Sequence, residues 1–427
     1  MGASRKPWHN FGRYLRRPWL VLGVVVGVAA VGYLAKPYYQ AHRELTEARR
    51  LIDDLELKEA KNLLERYLQT WPKDGEAHLL LARTDRMLGL FPTAFAHLRQ
   101  AESMAGSPSA ITLEKLLLNA EQTGEISSAT SILQSYLDSN APEAPQVLQA
   151  LSMGAFRARH YLAAGRWLQF WTENFPSDWR GHLIRGMLFR NQGNWSGAEQ
   201  ELEQVLALKP SYAEAHHWLG ICLVRSGYDY SKGIQHLEIY LRTAPSSSTA
   251  LTALGQAQLA LNQREAAAAT VARLLEQEGQ HTWGLLLRAQ IQLDDGAADQ
   301  ALATLGRVGI TNSSDPRERG MLLSLRAKVL RLMGRVAEAE SCERQFRALD
   351  DDLRQLAAAM GKLTNPGDEV PVQRKIGLIY LHLGDYEEAQ HWFDAVLRAK
   401  PDDKIVKQAL DDYRRQHFEP PPPDRER

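Results

Sequence analysis

The chain has 427 residues, 44% hydrophobic and 24% charged, a balance that excludes disorder over most of its length and allows either a large core or an extended array. Its 51 basic and 51 acidic residues cancel, so no basic face for nucleic acid is implied. Cys222 and Cys342 stand far apart without CxxC spacing, which excludes a zinc knuckle or disulfide framework; no metal and no cofactor is expected.

Residues 1–18 form a basic segment: Arg5, Lys6, Arg13, Arg16, Arg17 and, further on, Lys36 are the only charges before Arg43. Residues 19–36 follow as an expected transmembrane helix. The stretch WLVLGVVVGVAAVGYLA, 19–35, carries no charge and reaches about 25 Å as a helix, and Trp8, Trp19, Tyr33, Tyr38 and Tyr39 flank it where amphipathic rings favour headgroups. The basic residues ahead of it favour a cytoplasmic amino terminus and place the rest of the chain outside the cytoplasm. A cleaved signal is the alternative, since Arg16-Arg17-Pro18-Trp19-Leu20 loosely resembles a twin-arginine export signal, and an organelle receptor facing the cytosol has the same layout. Gly23 and Gly27 make a GxxxG that would let two such helices approach as a homodimer.

Beyond this segment, Pro72, Pro108, Pro142, Pro176, Pro210 and Pro245 recur at spacings of 36, 34, 34, 34 and 35. Aligned on the closing proline, residues 179–210 place Gly186, Phe189, Gly193, Asn194, Trp195, Ala198, Leu202 and Pro210 at slots 8, 11, 15, 16, 17, 20, 24 and 32. Residues 370–401 place Gly377, Tyr380, Gly384, Asp385, Tyr386, Ala389, Phe393 and Pro401 in the same eight slots. Small residues at slots 8 and 20 let two helices cross closely, bulky ones at 11, 17 and 24 fill the layer between them, and the proline ends the pair.

On these residues the chain resembles the tetratricopeptide repeat family over nearly everything from 41 to 417. The resemblance implies an all-α fold, an α-solenoid of about ten helix–turn–helix units. They begin near Ala41, Gly75, Ala110, Pro145, Trp179, Ala213, Ser248, Thr282, Gly320 and Val370: units 1–8 over 41–309 and units 9–10 over 317–401. In weaker units Ala60, Ala94, Ala129, Ala164, Ala267, Ala301 and Ala339 hold slot 20, while Gly220 and Gly255 hold slot 8. The turn-rich stretches 309–319 and 361–371 are places for the superhelix to bend; the second follows a long helical stretch from about Val336. Residues 402–417 read as a polar-faced capping helix, and 418–427 as a Pro-rich disordered tail.

Candidate chemistry is sparse. Glu387, Glu388 and His391 crowd one helix, where a solvated face is the expected role, and His78, His182 and His216 share slot 4, which favours packing over metal ligation. No G-x-S-x-G, phosphate loop or dinucleotide fingerprint occurs, so an enzyme is not expected. The less favoured reading is an all-helical glycan enzyme using Trp167, Trp171, Trp179 and Trp195. A lipopolysaccharide-assembly family shares the layout of membrane helix plus repeats, but its metal-binding cysteines are missing here. The lysine and asparagine clamp with which some family members hold chaperone tails is also missing, Leu183, Met187, His217 and Ile221 standing in its places.

The resemblance further implies that helix A of each unit lines a concave groove through positions 2, 5, 9, 12 and 13. For units 4 to 6 these include Gln149, Met153, Phe156 and Arg157; Leu183, Met187, Arg190 and Asn191; and His217, Ile221, Val224 and Arg225. An apolar floor edged with arginine suits an acidic or amphipathic peptide segment, arginine giving directional contacts to carboxylates and methionine an adaptable surface. Arginines that merely keep the groove soluble are the competing reading. The expected function is a membrane-anchored scaffold recruiting a protein partner, with an envelope assembly or secretion factor as the alternative.

Overall fold

The computed structural model describes residues 39–104, 106–124, 130–139, 141–308, 315–363 and 369–417. The expected membrane segment 19–36 with Gly23 and Gly27, the slot residue Ala129 and the tail 418–427 lie outside the described residues. Among the described residues no helix is long and apolar enough to cross a membrane.

All regular structure among the described residues is helical, in 21 helices. The chain runs α1 (39–53), α2 (Leu57–Thr70), α3 (Gly75–Met87), α4 (Phe91–Ser103), α5 (Pro108–Thr123) and α6 (Thr130–Asp138). It continues with α7 (Ala144–Arg157), α8 (Tyr161–Asn174), α9 (Trp179–Asn191), α10 (Trp195–Leu208), α11 (Ala213–Ser226) and α12 (Tyr230–Thr243). Then come α13 (Ser248–Ala260), α14 (Arg264–Gln277), α15 (Thr282–Asp294), α16 (Ala298–Gly306), α17 (Pro316–Leu332) and α18 (Val336–Met360). The last pair is α19 (Glu369–His382) and α20 (Tyr386–Ala399), followed by α21 (Lys404–His417). Odd-numbered helices up to α19 are helix A of repeats 1 to 10, and even-numbered ones helix B. Two compact bodies divide at the end of α5, the first closing at Gln122 and the second opening at Thr123.

Backbone conformation at the A–B turn fixes the register. Ten described residues have positive φ, and all ten are slot 15 of a repeat: Gly89, Gly124, Gly193, Gly227, Gly296, Gly334 and Gly384, plus Leu55, Arg159 and Asn262. Helix A ends by stepping into the left-handed region, which glycine enters without steric cost, and in repeats 5, 6 and 10 helix B restarts on a side-chain cap. Asn194 accepts from the Gly197 amide at 3.0 Å and Asp385 from the Glu388 amide at 3.1 Å, satisfying helix-start N–H groups that have no partner within the helix.

Slots 8, 20 and 24 meet as their sizes require. The slot-20 residues Ala60, Ala94, Ala164, Ala198, Ala267, Ala301, Ala339 and Ala389 are all fully buried. Repeat 6 carries one extra residue in its turn, so buried Gly233 holds that position in place of Lys232. In repeat 10 a Cβ on Gly377 would stand 2.6 Å from Cε1 of the fully buried Phe393. Gly377→Ala is therefore expected to cost about 1–3 kcal/mol by overpacking. Urea unfolding of the purified chain checks this, and a variant as stable as wild type would show that the layer has slack.

Repeat 9 breaks the pattern. Its helix B, α18, runs 25 residues without interruption, against 14 in α10, α12 and α20. Its outer side carries ion pairs such as Arg354 with Asp350 at 3.1 Å.

Candidate functional site

Slot 4 proves to be a joint between helices and repeats. His78 Nδ1 stands 3.2 Å from His97 Nδ1, His182 Nδ1 2.8 Å from Glu201 Oε2, and His216 Nδ1 2.7 Å from His236 Nδ1, each partner lying across on helix B. His78 Nε2 and His216 Nε2 lie 3.1 and 3.3 Å from the carbonyl oxygens of Pro72 and Pro210, which close the preceding repeats. A carbonyl only accepts, so Nε2 donates to it, and within each His–His pair one Nδ1 accepts from the other. No cluster of three metal-ligating side chains exists among the described residues.

The inner face of repeats 5 to 8 in the second body holds a cavity of about 570 Å³. Arg190 and Asn191 reach it from the last turn of α9, Ile221, Val224 and Arg225 from α11, Thr249, Thr252, Ala253 and Gln256 from α13, and Trp283 from α15. Asp315, Arg317 and Glu318, at the start of α17, also line it. A second cavity of about 330 Å³ shares Asn191, Asp315 and Arg317 with the first and continues to Arg159, Tyr380, Glu388 and Trp392. Together they form a chamber inside the second body.

Arginine and tryptophan alternate along this wall. The Arg190 guanidinium carbon lies 3.9 Å from the Trp218 ring centroid, and that of Arg225 lies 5.9 Å from the Trp283 centroid. Burial holds both guanidiniums below their ordinary range, and the Arg317 charge adds to the effect at Arg225. Neither makes an ion pair among the described residues. A half-buried cation resting on an aromatic face, with no hydrogen bond from its guanidinium to another described residue, keeps a donor edge that can meet an anionic group.

Five of the twelve expected groove residues line the larger cavity: Arg190, Asn191, Ile221, Val224 and Arg225. Gln149, Leu183 and His217 are buried, and Met153, Phe156, Arg157 and Met187 are half-buried without lining it. His217 stacks on Tyr240 with centroids 4.3 Å apart, its Nε2 lies 3.0 Å from Thr249 Oγ1, and burial beside Arg190 pushes its pKa down to about 4. Of the tryptophans weighed for a sugar cleft, Trp171 is fully buried with Nε1 donating to Asp178 at 3.1 Å, Trp179 packs on Tyr212, Trp167 is half-buried, and Trp195 lines the cavity.

Trp218, Trp283 and Arg317 were missed from the sequence. Trp283 is position 2 of helix A in repeat 8, so extending the inner-face rule beyond repeat 6 finds it; nothing local marks Arg317, which comes from repeat 9. Glu387 and His391 are solvent-exposed as expected, but Glu388 is not merely solvated: its carboxylate takes two hydrogen bonds from Arg159, at 3.1 and 2.8 Å.

Models of the tetratricopeptide repeat match residues 45–110, 183–248 and 375–403. No curated protein matches the chain. Among solved structures, PilW, described as a widely conserved type IV pilus biogenesis factor, is 19% identical, with 49% of this chain and 94% of that chain covered and a TM-score of 0.41. MamA from Desulfovibrio magneticus RS-1 is 19% identical over 38% of this chain and 92% of that chain, with a TM-score of 0.37. YrrB, described as having an unusual peptide-binding site, is 16% identical over 57% and 97%, with a TM-score of 0.29. Repeats of this kind are in general non-enzymatic scaffolds that bind protein partners or peptides, and no catalytic family matches. The matched segments, with ten helix pairs in one register, support the tetratricopeptide repeat family for this chain.

Proposed function

We propose that this chain is a membrane-anchored adaptor that holds an acidic peptide segment of a protein partner against the inner wall of repeats 5 to 8. The observation that carries the reading is the pair Arg190 and Arg225, half-buried on Trp218 and Trp283 and lacking ion-pair partners among the described residues. Each guanidinium presents a planar donor edge that fits a carboxylate, and the tryptophans keep it extended, so little side-chain order is lost when the ligand arrives. The uncharged stretch 19–35 supports the anchor, and the basic residues before it support an amino terminus in the cytoplasm with the repeats outside. Gly23 and Gly27 would join two anchors side by side.

A short fluorescein-labelled glutamate-rich peptide tests the groove by anisotropy. Wild type is expected to bind it more weakly as salt rises, and Arg190→Glu with Arg225→Glu to weaken binding by about 100-fold or more, since each charge-assisted contact contributes about 1.5–3 kcal/mol. Circular dichroism checks that the variant keeps its helices. Equal binding by both proteins would move the site away from this wall.

A further inference from the structure

Repeat 10 does not simply end the stack; it turns back onto repeat 4. Gln373, at slot 4 of α19, donates from Nε2 to the Arg159 carbonyl at 2.9 Å, and Arg398 of α20 donates to the Ala158 carbonyl at 2.9 Å. Trp392 stacks on Tyr161 with centroids 5.5 Å apart and planes 9° from parallel, and both side chains are fully buried. Arg159 lies over the same indole at 5.0 Å, grips Glu388, and donates to Tyr161 Oη at 3.0 Å. In repeats 2 and 6 the slot-4 side chain meets the proline carbonyl of the preceding repeat. In repeat 10 the slot-4 side chain is spent instead on the A–B turn of repeat 4.

Arg159 is placed there at a conformational cost. It sits at slot 15 with φ of 63°, where seven of the ten repeats have glycine. Arginine enters the left-handed region less readily than glycine, and its side chain answers with contacts to Tyr161 and to two residues of repeat 10, Glu388 and Trp392. Arg159, Glu388 and Trp392 line the smaller cavity, which shares Asn191, Asp315 and Arg317 with the Arg190–Arg225 wall. The contact therefore closes one side of the chamber.

We infer that repeat 10 is a latch: Glu388 and Trp392 occupy Arg159 and Tyr161 as an acidic, aromatic ligand would, and the repeat parts from this turn to admit a peptide to the chamber. The inference rests on the proposed peptide-binding role for its purpose, but the latch can be tested without a ligand. Opening frees Arg159, a further cation on the route to Arg190 and Arg225, so an acidic segment that displaces Glu388 exchanges one carboxylate for another.

Arg159→Gly is the variant of choice, because glycine relieves the backbone, keeps the turn and removes a positive charge. Any gain in uptake of an acidic probe then runs against the change in long-range attraction. In the full-length protein, hydrogen–deuterium exchange is expected to speed up throughout α19 and α20 while α9 to α15 stay as in wild type. Association of the glutamate-rich peptide is expected to be about tenfold faster, as the open form becomes more populated. Unchanged exchange in α19 and α20 overturns the latch whatever the peptide does. Faster exchange with unchanged association overturns its gating role. Faster exchange in a protein that binds no peptide supports the latch and counts against the peptide-binding reading instead.

Discussion

Arg86→Met is expected to lower the unfolding free energy of the first body by about 3–5 kcal/mol at neutral pH. Arg86 is 1% exposed; its Nε donates to Glu114 Oε1 and its Nη1 to Glu121 Oε2, each at 2.5 Å, while Arg83 reaches the other Glu114 oxygen at 3.3 Å. Burial by itself would raise the Glu114 pKa, but the Arg86 and Arg83 charges outweigh it and hold the carboxyl below its ordinary range. Methionine fills much of the same volume and removes the charge, leaving two buried carboxylates. The sign with pH follows. In wild type the depressed Glu114 pKa gives stability that is present above pH 4.5 and is lost as pH falls through the folded value. In the variant Glu114 should titrate above 4.5, so the gap between the proteins narrows as pH is lowered from 7 toward 4.5. Because repeat arrays need not unfold in one step, the measurement is amide exchange in α3 and α5 at both pH values. Changing Glu114 and Glu121 to Gln alongside Arg86→Met should recover part of the loss. A single variant costing less than about 1 kcal/mol would show that the cluster is hydrated and dispensable.

The repeat register was legible because every constraint that sets it is local. Slot 15 must turn left-handed, slots 8 and 20 must be small where helices cross, and slot 32 must stop a helix; each rule involves residues within one repeat of each other. The unit starts read from prolines and alanines accordingly place all ten positive-φ residues at one slot. The groove was less legible. Leu183 and His217 satisfy the spacing of an inner face, yet both are buried, His217 against the ring of Tyr240. Arg317 and the Arg159–Glu388 contact depend on where repeat 9 and repeat 10 arrive after several small rotations between neighbours have accumulated. No slot pattern records that sum. The 25-residue α18 is a sequence-level sign of departure, visible as a long stretch from Val336 without glycine or proline.

Stability of the whole array should fall as pH drops from 6.5 toward 4, and histidines rather than carboxylates should carry the first part of the loss. Burial and the neighbouring His216 and Lys232 push His236 down to about 4; burial and Arg190 do the same to His217, and burial chiefly lowers His97. A histidine whose folded pKa lies below its unfolded value binds its proton more readily in the unfolded chain. The unfolded state therefore takes up protons first as pH falls below 6.5, and stability declines until the folded values are reached. The slope is at most about 1.4 kcal/mol per pH unit for each such group, less at His97 and His236 where solvent screens the charge. The geometry agrees with the sign: in the His78–His97 and His216–His236 pairs one Nδ1 must accept, so each bond needs a ring nitrogen with a free lone pair. Melting temperatures at pH 7.5 and 5.5 read the effect where ordinary carboxylates stay ionised. His217→Phe, which keeps the stack on Tyr240 and cannot take a proton, should show a smaller drop between the two pH values than wild type. An equal drop in both proteins would assign the loss to other groups.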